Sequence, residues 1–234
     1  MTWPVPARRK PCRLANNSET KALTIAVPKG RILSELCPLL AAAGVDTQPL
    51  ETPDRRLVIP TNDGAFQLML VRASDIPTYV AHGVADIGMA GYDTLLESDV
   101  ALAERLDLNI GACRLVVAAP QDSAKRGLAI PWVKIASKYP NITRRYFRQQ
   151  GIEATIIKLV GSVELAAAVG LADLVVDLVS TGETLRANNM VELETIAHIT
   201  TRLVVNPASL KMRYADIDRF VNAMREALPA TKRA

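Results

Sequence analysis

The chain has 234 residues, of which 49% are hydrophobic and 22% are charged. That length accommodates one domain or two small ones, and the hydrophobic share is ample for a packed core. The net charge of +4 is an end effect, because subtracting the six basic residues within the first 13 and last three positions leaves −2. Charge therefore gives little support to a nucleic-acid-binding protein, although a local anion pocket is compatible with it.

The N-terminus and the cysteines set further limits. Residues 1–21 contain three prolines and scattered basic residues but no apolar core of a signal peptide, which predicts a flexible basic leader. An arm that docks on a partner or membrane is the alternative. No run approaches the ~20 apolar residues of a membrane helix. Cys12, Cys37 and Cys113 are odd in number and widely spaced, so a disulfide framework or zinc site is not indicated. A cytoplasmic protein without a membrane partner fits best.

The first strand-to-helix unit begins at Leu23. LTIAV predicts a strand, PKG a turn, and RILSELCPLL a helix with one apolar face, ended by Gly44. Lys29 and Arg31 lie at the junction, which is the carboxyl edge of a parallel sheet, where α/β proteins bind ligands. Two cations there suit a polyphosphate, and ordinary solvated cations are the alternative.

Three further arginines lie beside predicted strands. Arg55 and Arg56 precede the strand LVIP, on a loop where paired guanidinium groups suit phosphate but are also commonplace. Arg72 follows the apolar run 66–71, again at a carboxyl end of a strand. These positions are candidates for binding a nucleotide or a diphosphate.

An internal repeat of pattern indicates two lobes. The stretch GVADIGMAGYDTLLE at 83–97 predicts a strand, a glycine-bordered turn and a helix, in which Gly88 and Gly91 are expected to let a flat ring or phosphate approach the backbone. The pattern Gly-x-Ala-Asp, strand, loop, helix recurs at 170–185, and the first strand IAVPK is echoed by IASK at 135–138. Two α/β lobes of related construction, with ligand between them, follow from this order.

The stretch DLVVDLVSTGETL at 173–185 carries the sharpest chemical signal. An apolar strand ends in the polar cluster Ser-Thr-Gly, and a helix follows whose free N–H groups predict a phosphate cradle; a simple turn is the alternative. Asp177, at the strand's end, suits sugar hydroxyls or a hydrated divalent cation. Glu164, in the first turn of the preceding helix, either favours the helix dipole or faces the loop and binds magnesium.

Covalent catalysis is not indicated. His82 and His198 are far apart and in no recognisable spacing, and neither a nucleophile elbow nor a Cys/His pair is present in the sequence. The chemistry is therefore expected to depend on positioning and charge.

Together the motifs VPKGRILSELCPLLAAAGVD, LVRASDIPTYVAHGVADIGMAGYDTLLE and GSVELAAAVGLADLVVDLVSTGETLRANNM resemble one family over residues 23 to about 228. That family is the short form of ATP phosphoribosyltransferase, which opens histidine biosynthesis. The resemblance implies a type II periplasmic-binding-protein-like α/β fold with the active site between two lobes. We expect a flexible basic leader over 1–21, which has no assigned part in the family pattern, followed by a first lobe over 22–110 plus 193–234 and a second lobe over 111–192 that carries the Ser-Thr-Gly loop.

The resemblance also implies residue roles. The substrate 5-phosphoribosyl diphosphate (PRPP) would bind at Glu164, Asp173, Asp177, Val179, Ser180, Thr181, Gly182, Glu183, Thr184 and Leu185. ATP would bind at Arg72, Ala90, Gly91 and Asp93. Lys29, Arg31, Arg55 and Arg56 would be catalytic, gathering the charge of ATP and pyrophosphate. The implied cofactor is Mg²⁺, held by Glu164 and Asp177 directly or through water.

The expected partners are ATP, PRPP, a second copy of the chain and a regulatory subunit similar to histidyl-tRNA synthetase, because the long form's C-terminal regulatory domain has no counterpart here. A non-catalytic two-lobed sensor of an anion or nucleotide is the alternative. A single-sheet phosphoribosyltransferase is the other, but it usually has paired acids before its phosphate loop, whereas Leu178 follows Asp177.

Overall fold

A computed structural model describes residues 22–51, 56–128 and 130–229. Its strands are β1 Leu23–Pro28, β2 Val58–Pro60, β3 Phe66–Val71, β4 Ile87–Gly91, β5 Ala103–Asp107, β6 Cys113–Pro120, β7 Val133–Ser137, β8 Ala154–Lys158, β9 Leu174–Val179, β10 Met190–Ile199 and β11 Thr201–Val205. Its α-helices are α1 Arg31–Ala42, α2 Gln48–Glu51, α3 Ile76–Ala81, α4 Tyr92–Ser98, α5 Pro140–Gln149, α6 Val163–Ala168, α7 Glu183–Ala187, α8 Pro207–Met212 and α9 Tyr214–Ala227. Within these ranges no helix combines the length and the apolar character that crossing a bilayer requires.

The first sheet has six strands in the order β2, β3, β1, β4, β11, β5. β1 runs parallel to its neighbours β3 and β4, and it is buried along its whole length. It is buried because α1 and α9 cover one face of the sheet and α3 covers the other. The predictions of a strand at LTIAV, a strand at 66–71 and a helix after PKG are confirmed.

The second sheet has five strands in the order β10, β6, β9, β7, β8. β9 is parallel to β7 but antiparallel to β6, so this sheet is mixed. Phe147 of α5 packs on one face, and Val163 of α6 and Leu185 of α7 pack on the other. Because side chains alternate along a strand, Val175, Asp177 and Val179 point to the face that carries α6 and α7.

The chain crosses between the sheets twice. The first crossing lies between Asp107 and Cys113, and the second lies at Thr200, between β10 and β11. The predicted return to the first lobe at 193 is placed too early in the chain, because β10 pairs with β6 from Met190 to Ile199 and so belongs wholly to the second sheet. The crossings run side by side, since the Thr201 N–H donates to the Ile110 carbonyl at 3.0 Å. The division of the chain into lobes is otherwise still a prediction.

Asp86 and Asp173, the aspartates of the internal repeat, make equivalent hydrogen bonds. The Asp86 carboxylate accepts a 3.0 Å hydrogen bond from the Thr24 N–H, at the start of β1. The Asp173 carboxylate accepts a 2.8 Å hydrogen bond from the Lys134 N–H, at the start of β7. Each carboxylate thus satisfies a backbone donor at the amino edge of its sheet, which explains why the motif occurs twice.

Candidate active site

The loop between β9 and α7 forms one side of a cavity of about 380 Å³. Gly182 has a φ of +75°, and a Cβ there would lie 3.2 Å from Arg186 Nη1, so glycine is strongly favoured. The Thr181 hydroxyl accepts a 3.4 Å hydrogen bond from the Glu183 N–H. The first turn of α7 adds backbone donors that have no partner within the helix. The cavity is lined by Ser162, Glu164, Val175 and residues 177–185.

Asp177 is half-buried and faces this cavity. Its Oδ1 accepts a 2.8 Å hydrogen bond from the N–H of Leu178. Burial raises the pKa of the Asp177 carboxyl, and the negative charge of Glu164 raises it further, while the Leu178 hydrogen bond and the Lys138 ammonium oppose the increase. A carboxylate held in this state gains from a hydroxyl donor or a cation, so Asp177 is poised to bind a ligand.

The donor set around Asp177 fits magnesium better than a transition metal. No group of three or more His, Cys, Asp or Glu side chains is arranged to hold a metal in the described ranges. Asp177 and Glu164 line one cavity and supply two carboxylates. Mg²⁺ binds in this way in many enzymes, through one or two carboxylates, several waters and the phosphates of the substrate.

One predicted PRPP residue is wrong. Asp173 precedes β9, and its carboxylate is bonded at the amino edge of the sheet, roughly 20 Å from the loop at 3.3 Å per strand residue. Val179 and Leu185 do line the cavity, but both are buried and pack with α6, so they support the loop from beneath. The remaining predicted PRPP residues are brought together in this cavity.

A second, larger cleft of about 630 Å³ lies between the two sheets. Arg72, Asp93 and Glu97 reach it from the first sheet, and Lys138, Tyr139 and Lys158 reach it from the second. Leu178 lines both this cleft and the cavity of the phosphate loop. The two spaces are therefore neighbours on opposite sides of the end of β9.

Lys138, Tyr139 and Lys158 were not predicted as site residues. A signal was present for Lys138, because the echo of IAVPK by IASK makes it the counterpart of Lys29. Lys158 ends β8 and so lies at a carboxyl edge, but its sequence context does not distinguish it from a surface lysine. Both lysines are exposed at the cleft, and Lys138 Nζ lies 5.8 Å from the centroid of the Tyr139 ring.

Asp93 joins the two lobes across the cleft. It is buried, and its Oδ2 accepts a 2.8 Å hydrogen bond from the Tyr139 hydroxyl. Burial raises the pKa of Tyr139, with the Asp93 charge adding to the effect, so the phenol stays a donor. Burial also raises the pKa of the nearby Cys113 thiol, and Asp93 raises it further against the opposing charge of Arg31. Cys113 is thus not an activated thiolate.

Of the two small residues predicted to contact ATP, Ala90 is closed to it and Gly91 is partly accessible. Ala90 is fully buried in the core beneath α3, so its side chain cannot reach the cleft. At Gly91 a Cβ would lie 2.3 Å from Asp93 Oδ1, which means that the space beside this glycine is filled by a carboxylate. Gly88 is likewise closed, because a Cβ there would lie 2.6 Å from a Val80 methyl. Gly88 therefore serves close packing, whereas Gly91 is half-buried and its contact with ATP stays a prediction.

The predicted cations of the first lobe lie at one edge of its sheet. The Lys29 N–H donates to the Val71 carbonyl at 3.0 Å, which sets Lys29 beside Arg72. The Leu70 N–H donates to the Leu57 carbonyl at 2.9 Å, which brings the exposed Arg56 to the same edge. Arg31 is exposed at the start of α1. Arg55 lies outside the described residues.

The fold and the site together define a class: a two-lobed α/β protein in which hydroxyls, carboxylates and cations gather where the carboxyl edges of its two sheets meet. Solved structures of low sequence identity share this architecture. The alkanesulfonate-binding protein SsuA from Xanthomonas axonopodis pv. citri, bound to MOPS, is 15% identical with a TM-score of 0.53, covering 90% of this chain and 74% of that one. At this identity the likeness shows the fold alone.

Comparison with known sequences narrows the class to a family. A model of the ATP phosphoribosyltransferase family (HisG) matches residues 72–226. The ATP phosphoribosyltransferase of Sorangium cellulosum is 51% identical over 208 residues, covering 89% of this chain and 97% of its own. That of Geobacter metallireducens is 48% identical, covering 87% and 97%. A structure entitled ATP phosphoribosyl transferase (HisG:HisZ) complex, from Thermotoga maritima, is 37% identical with a TM-score of 0.77, covering 88% and 98%.

The chain therefore belongs to the ATP phosphoribosyltransferase family, the pentosyltransferases of the first step of histidine biosynthesis. The resemblance seen in the sequence is confirmed, and so is the two-lobed periplasmic-binding-protein-like fold. The alternative of a non-catalytic sensor is not favoured by these relatives.

Proposed function

We propose that the cavity of the phosphate loop binds PRPP, that the neighbouring cleft binds ATP, and that the two substrates react at the end of β9. The observation that carries this proposal is the shared wall at Leu178, which brings a site suited to a phosphorylated sugar against a cleft edged by cations. The reaction joins C1 of the ribose to N1 of adenine and yields N1-(5-phosphoribosyl)-ATP and pyrophosphate.

The roles in the PRPP site follow from its donors and acceptors. Ser180, Thr181 and Thr184 offer hydroxyls, and the backbone at Gly182 and the start of α7 offers N–H groups, so the 5-phosphate is held there. Asp177 accepts hydrogen bonds from the ribose hydroxyls. Its raised pKa is then restored toward the ordinary value by the donors it gains.

Magnesium is proposed as the cofactor, with Glu164 and Asp177 as its protein ligands, directly or through water. When bound, the ion would neutralise the diphosphate of PRPP and so favour its departure. The part played by the chain is to place two carboxylates in the cavity that the hydroxyls of the loop also line.

The cations at the carboxyl edges would bind the phosphates of ATP and pyrophosphate. Lys29, Arg31, Arg56 and Arg72 approach from the first sheet, and Lys138 and Lys158 approach from the second. Arg55 stays a sequence-based member of the set. Charges preorganised in this way stabilise developing charge in the transition state, at roughly 2.7–4 kcal/mol for a single contact.

The reaction needs no protein nucleophile. Adenine N1 carries an in-plane lone pair and is unprotonated near neutral pH, so it attacks C1 of PRPP directly. The bond from C1 to the pyrophosphate oxygen breaks as the C1–N1 bond forms, and pyrophosphate leaves with the electron pair. Exclusion of water between the lobes protects PRPP from hydrolysis.

A regulatory partner is proposed for this chain by analogy. The Thermotoga maritima relative is described as a HisG:HisZ complex, and the match to this chain extends over nearly all of that relative. We infer that this chain likewise forms a dimeric catalytic core that assembles with a regulatory subunit similar to histidyl-tRNA synthetase. Addition of that subunit is expected to raise the rate.

The test is incubation of the full chain with PRPP, Mg²⁺ and a panel of purine bases and nucleotides. We expect pyrophosphate release and a new absorbance from N1-substituted adenine with ATP, and neither with free adenine. Omission of Mg²⁺ is the control for the cofactor. Turnover of adenine but not ATP would overturn the assignment of the substrate.

A further inference from the structure

Helix α4 belongs to the first sheet by connection but packs into the core of the second. It follows β4 directly, yet Tyr92 and Leu96 pack against the hydrophobic cluster that contains Phe147 of α5. The same helix supplies Asp93 to the cleft. This seven-residue helix thus contacts both lobes.

The end of α4 is joined to the start of α5 by a set of polar contacts. The Glu97 carboxylate accepts hydrogen bonds from the N–H of Asn141, at 3.0 Å to each oxygen, and from the N–H of Ile142 at 3.0 Å. The Asn141 side-chain amide donates to the Glu97 carbonyl at 3.0 Å. Arg145 donates to the Leu96 carbonyl and lies 3.4 Å from Asp99.

This arrangement caps a helix from the opposite lobe. The residue before α5, Tyr139, has a side chain that makes no capping hydrogen bond, so the donors of the first turn would otherwise face solvent. Glu97 satisfies two of them and also places a negative charge at the positive end of the helix. Such a contact is directional, because a carboxylate that bridges adjacent N–H groups tolerates little displacement.

The capped end of α5 is continuous with the wall of the cleft. Lys138 and Tyr139 immediately precede the helix, and both line the cleft opposite Arg72 and Asp93. Any rotation of α5 away from α4 would carry these two residues out of register with the first lobe. The phosphate loop, in contrast, is built on β9, α6 and α7 and has no part in this contact.

We propose that Glu97 is a positioning residue, which holds Lys138 and Tyr139 in register with the first lobe so that the cleft between the lobes is formed. The inference rests on the proposed use of the cleft for ATP and of the loop for PRPP. It predicts a separation of effects, since the ATP site spans the lobes and the PRPP site lies in one of them.

The experiment compares Glu97→Ala with wild type and with Glu153→Ala, which removes an exposed carboxylate from the second lobe away from α4. PRPP affinity is measured by calorimetry in the presence of Mg²⁺, and KM and kcat are measured with varied ATP. We expect Glu97→Ala to raise the KM for ATP about tenfold, as loss of a charged hydrogen bond implies, with PRPP affinity within about twofold of wild type. Glu153→Ala should match wild type in both.

The conservative variant Glu97→Gln keeps an acceptor oxygen for the Asn141 N–H, so it should recover most of the ATP affinity. Glu97→Gln also replaces Glu97→Ala as the test variant if the alanine variant does not fold. We then expect Glu97→Gln to raise the KM for ATP about threefold and to leave PRPP affinity unchanged. Equal losses of affinity for ATP and PRPP would overturn the inference. So would an unchanged KM for ATP in Glu97→Ala, or in Glu97→Gln where only that variant folds. Failure of wild type to bind PRPP would instead refute the proposed function.

Discussion

The two copies of the internal repeat, β4–α4 and β9–α7, begin alike and end differently. Each starts with an aspartate that satisfies a backbone N–H at the amino edge of its sheet. At the carboxyl edge, the first copy closes on itself, because Asp93 fills the space beside Gly91 and accepts a hydrogen bond from Tyr139. The second copy stays open, with exposed Ser180 and Thr181 around a cavity.

The difference shows how one scaffold serves two purposes. In the first copy, β4–α4, the Asp93 carboxylate accepts a hydrogen bond from Tyr139, so this unit connects the two lobes. Among the described residues, the Asp177 carboxylate accepts a hydrogen bond from the adjacent Leu178 N–H, and burial raises its pKa, so the second unit keeps acceptor capacity for a ligand. The carboxyl edge of the first copy is thus tied to the other lobe through Asp93 at the start of α4, whereas in the second copy Asp177, within β9, faces the cavity that we propose binds PRPP.

The largest expected effect separates the two aspartates. Asp177→Ala should weaken PRPP binding by about 10- to 100-fold, the scale of a lost hydrogen bond to a charged group, without lowering stability. Asp93→Ala should leave PRPP affinity unchanged but cost about 1–3 kcal/mol of unfolding free energy, because the buried Tyr139 hydroxyl loses its acceptor. Calorimetric titration and urea unfolding of both variants measure this. An equal loss of PRPP affinity in Asp177→Ala and Asp93→Ala would contradict the distinction between a residue that connects the lobes and one that binds the ligand.

A smaller effect tests the aspartates that begin each copy. Asp86→Ala should lower the unfolding free energy by about 1–3 kcal/mol, because Asp86 is half-buried and also accepts from Ser209. Asp173→Ala should cost less, about 0.5–1.5 kcal/mol, because Asp173 is exposed. Neither change should alter the dissociation constant of PRPP. If Asp173→Ala weakened PRPP binding tenfold, the structural role given to it here would be incorrect.

The smallest effect concerns pH. A raised folded-state pKa means that ionised Asp177 destabilises the free protein, and this cost appears as pH rises through that pKa. Asp177→Asn should therefore be more stable than wild type near pH 7, with the advantage shrinking toward about pH 4 as the wild-type carboxyl is protonated. Urea unfolding across this range checks the sign. An advantage that grew on acidification would contradict the assigned cause.

The sequence was most informative where burial dictates residue type. The run LTIAV became a strand that is buried along its whole length, and FQLMLV became a strand that is buried at its centre, because buried strands require apolar residues. The Ser-Thr-Gly loop was identified because a polar cluster directly follows an apolar strand, and the positive φ of Gly182 agrees with a glycine at that position. Asp173 was misassigned although the direction of the chain places it before β9 and the loop after it, because its role was taken from the resemblance and not from the length of the strand. Ala90 was misassigned because a small residue beside glycine does not distinguish packing from ligand access.

Contacts between segments that are distant in the chain could not be predicted from the sequence. Glu97 meets Asn141 and Asp93 meets Tyr139, pairs separated by more than 40 residues that become neighbours only once both sheets exist. The polar pattern of β10 likewise gave no sign of which sheet it joins, so the return of the chain was placed too early. Long-range geometry of this kind follows from the fold and not from local sequence.

The central claim is that the phosphate loop holds the 5-phosphate of PRPP. A crystal structure of the chain with PRPP and Mg²⁺ tests it directly. We expect the 5-phosphate oxygens within hydrogen-bonding distance of the Thr181 hydroxyl and the N–H groups at the start of α7, with the ribose hydroxyls at Asp177. A 5-phosphate located instead among the first-lobe cations at Lys29 and Arg72 would contradict the account.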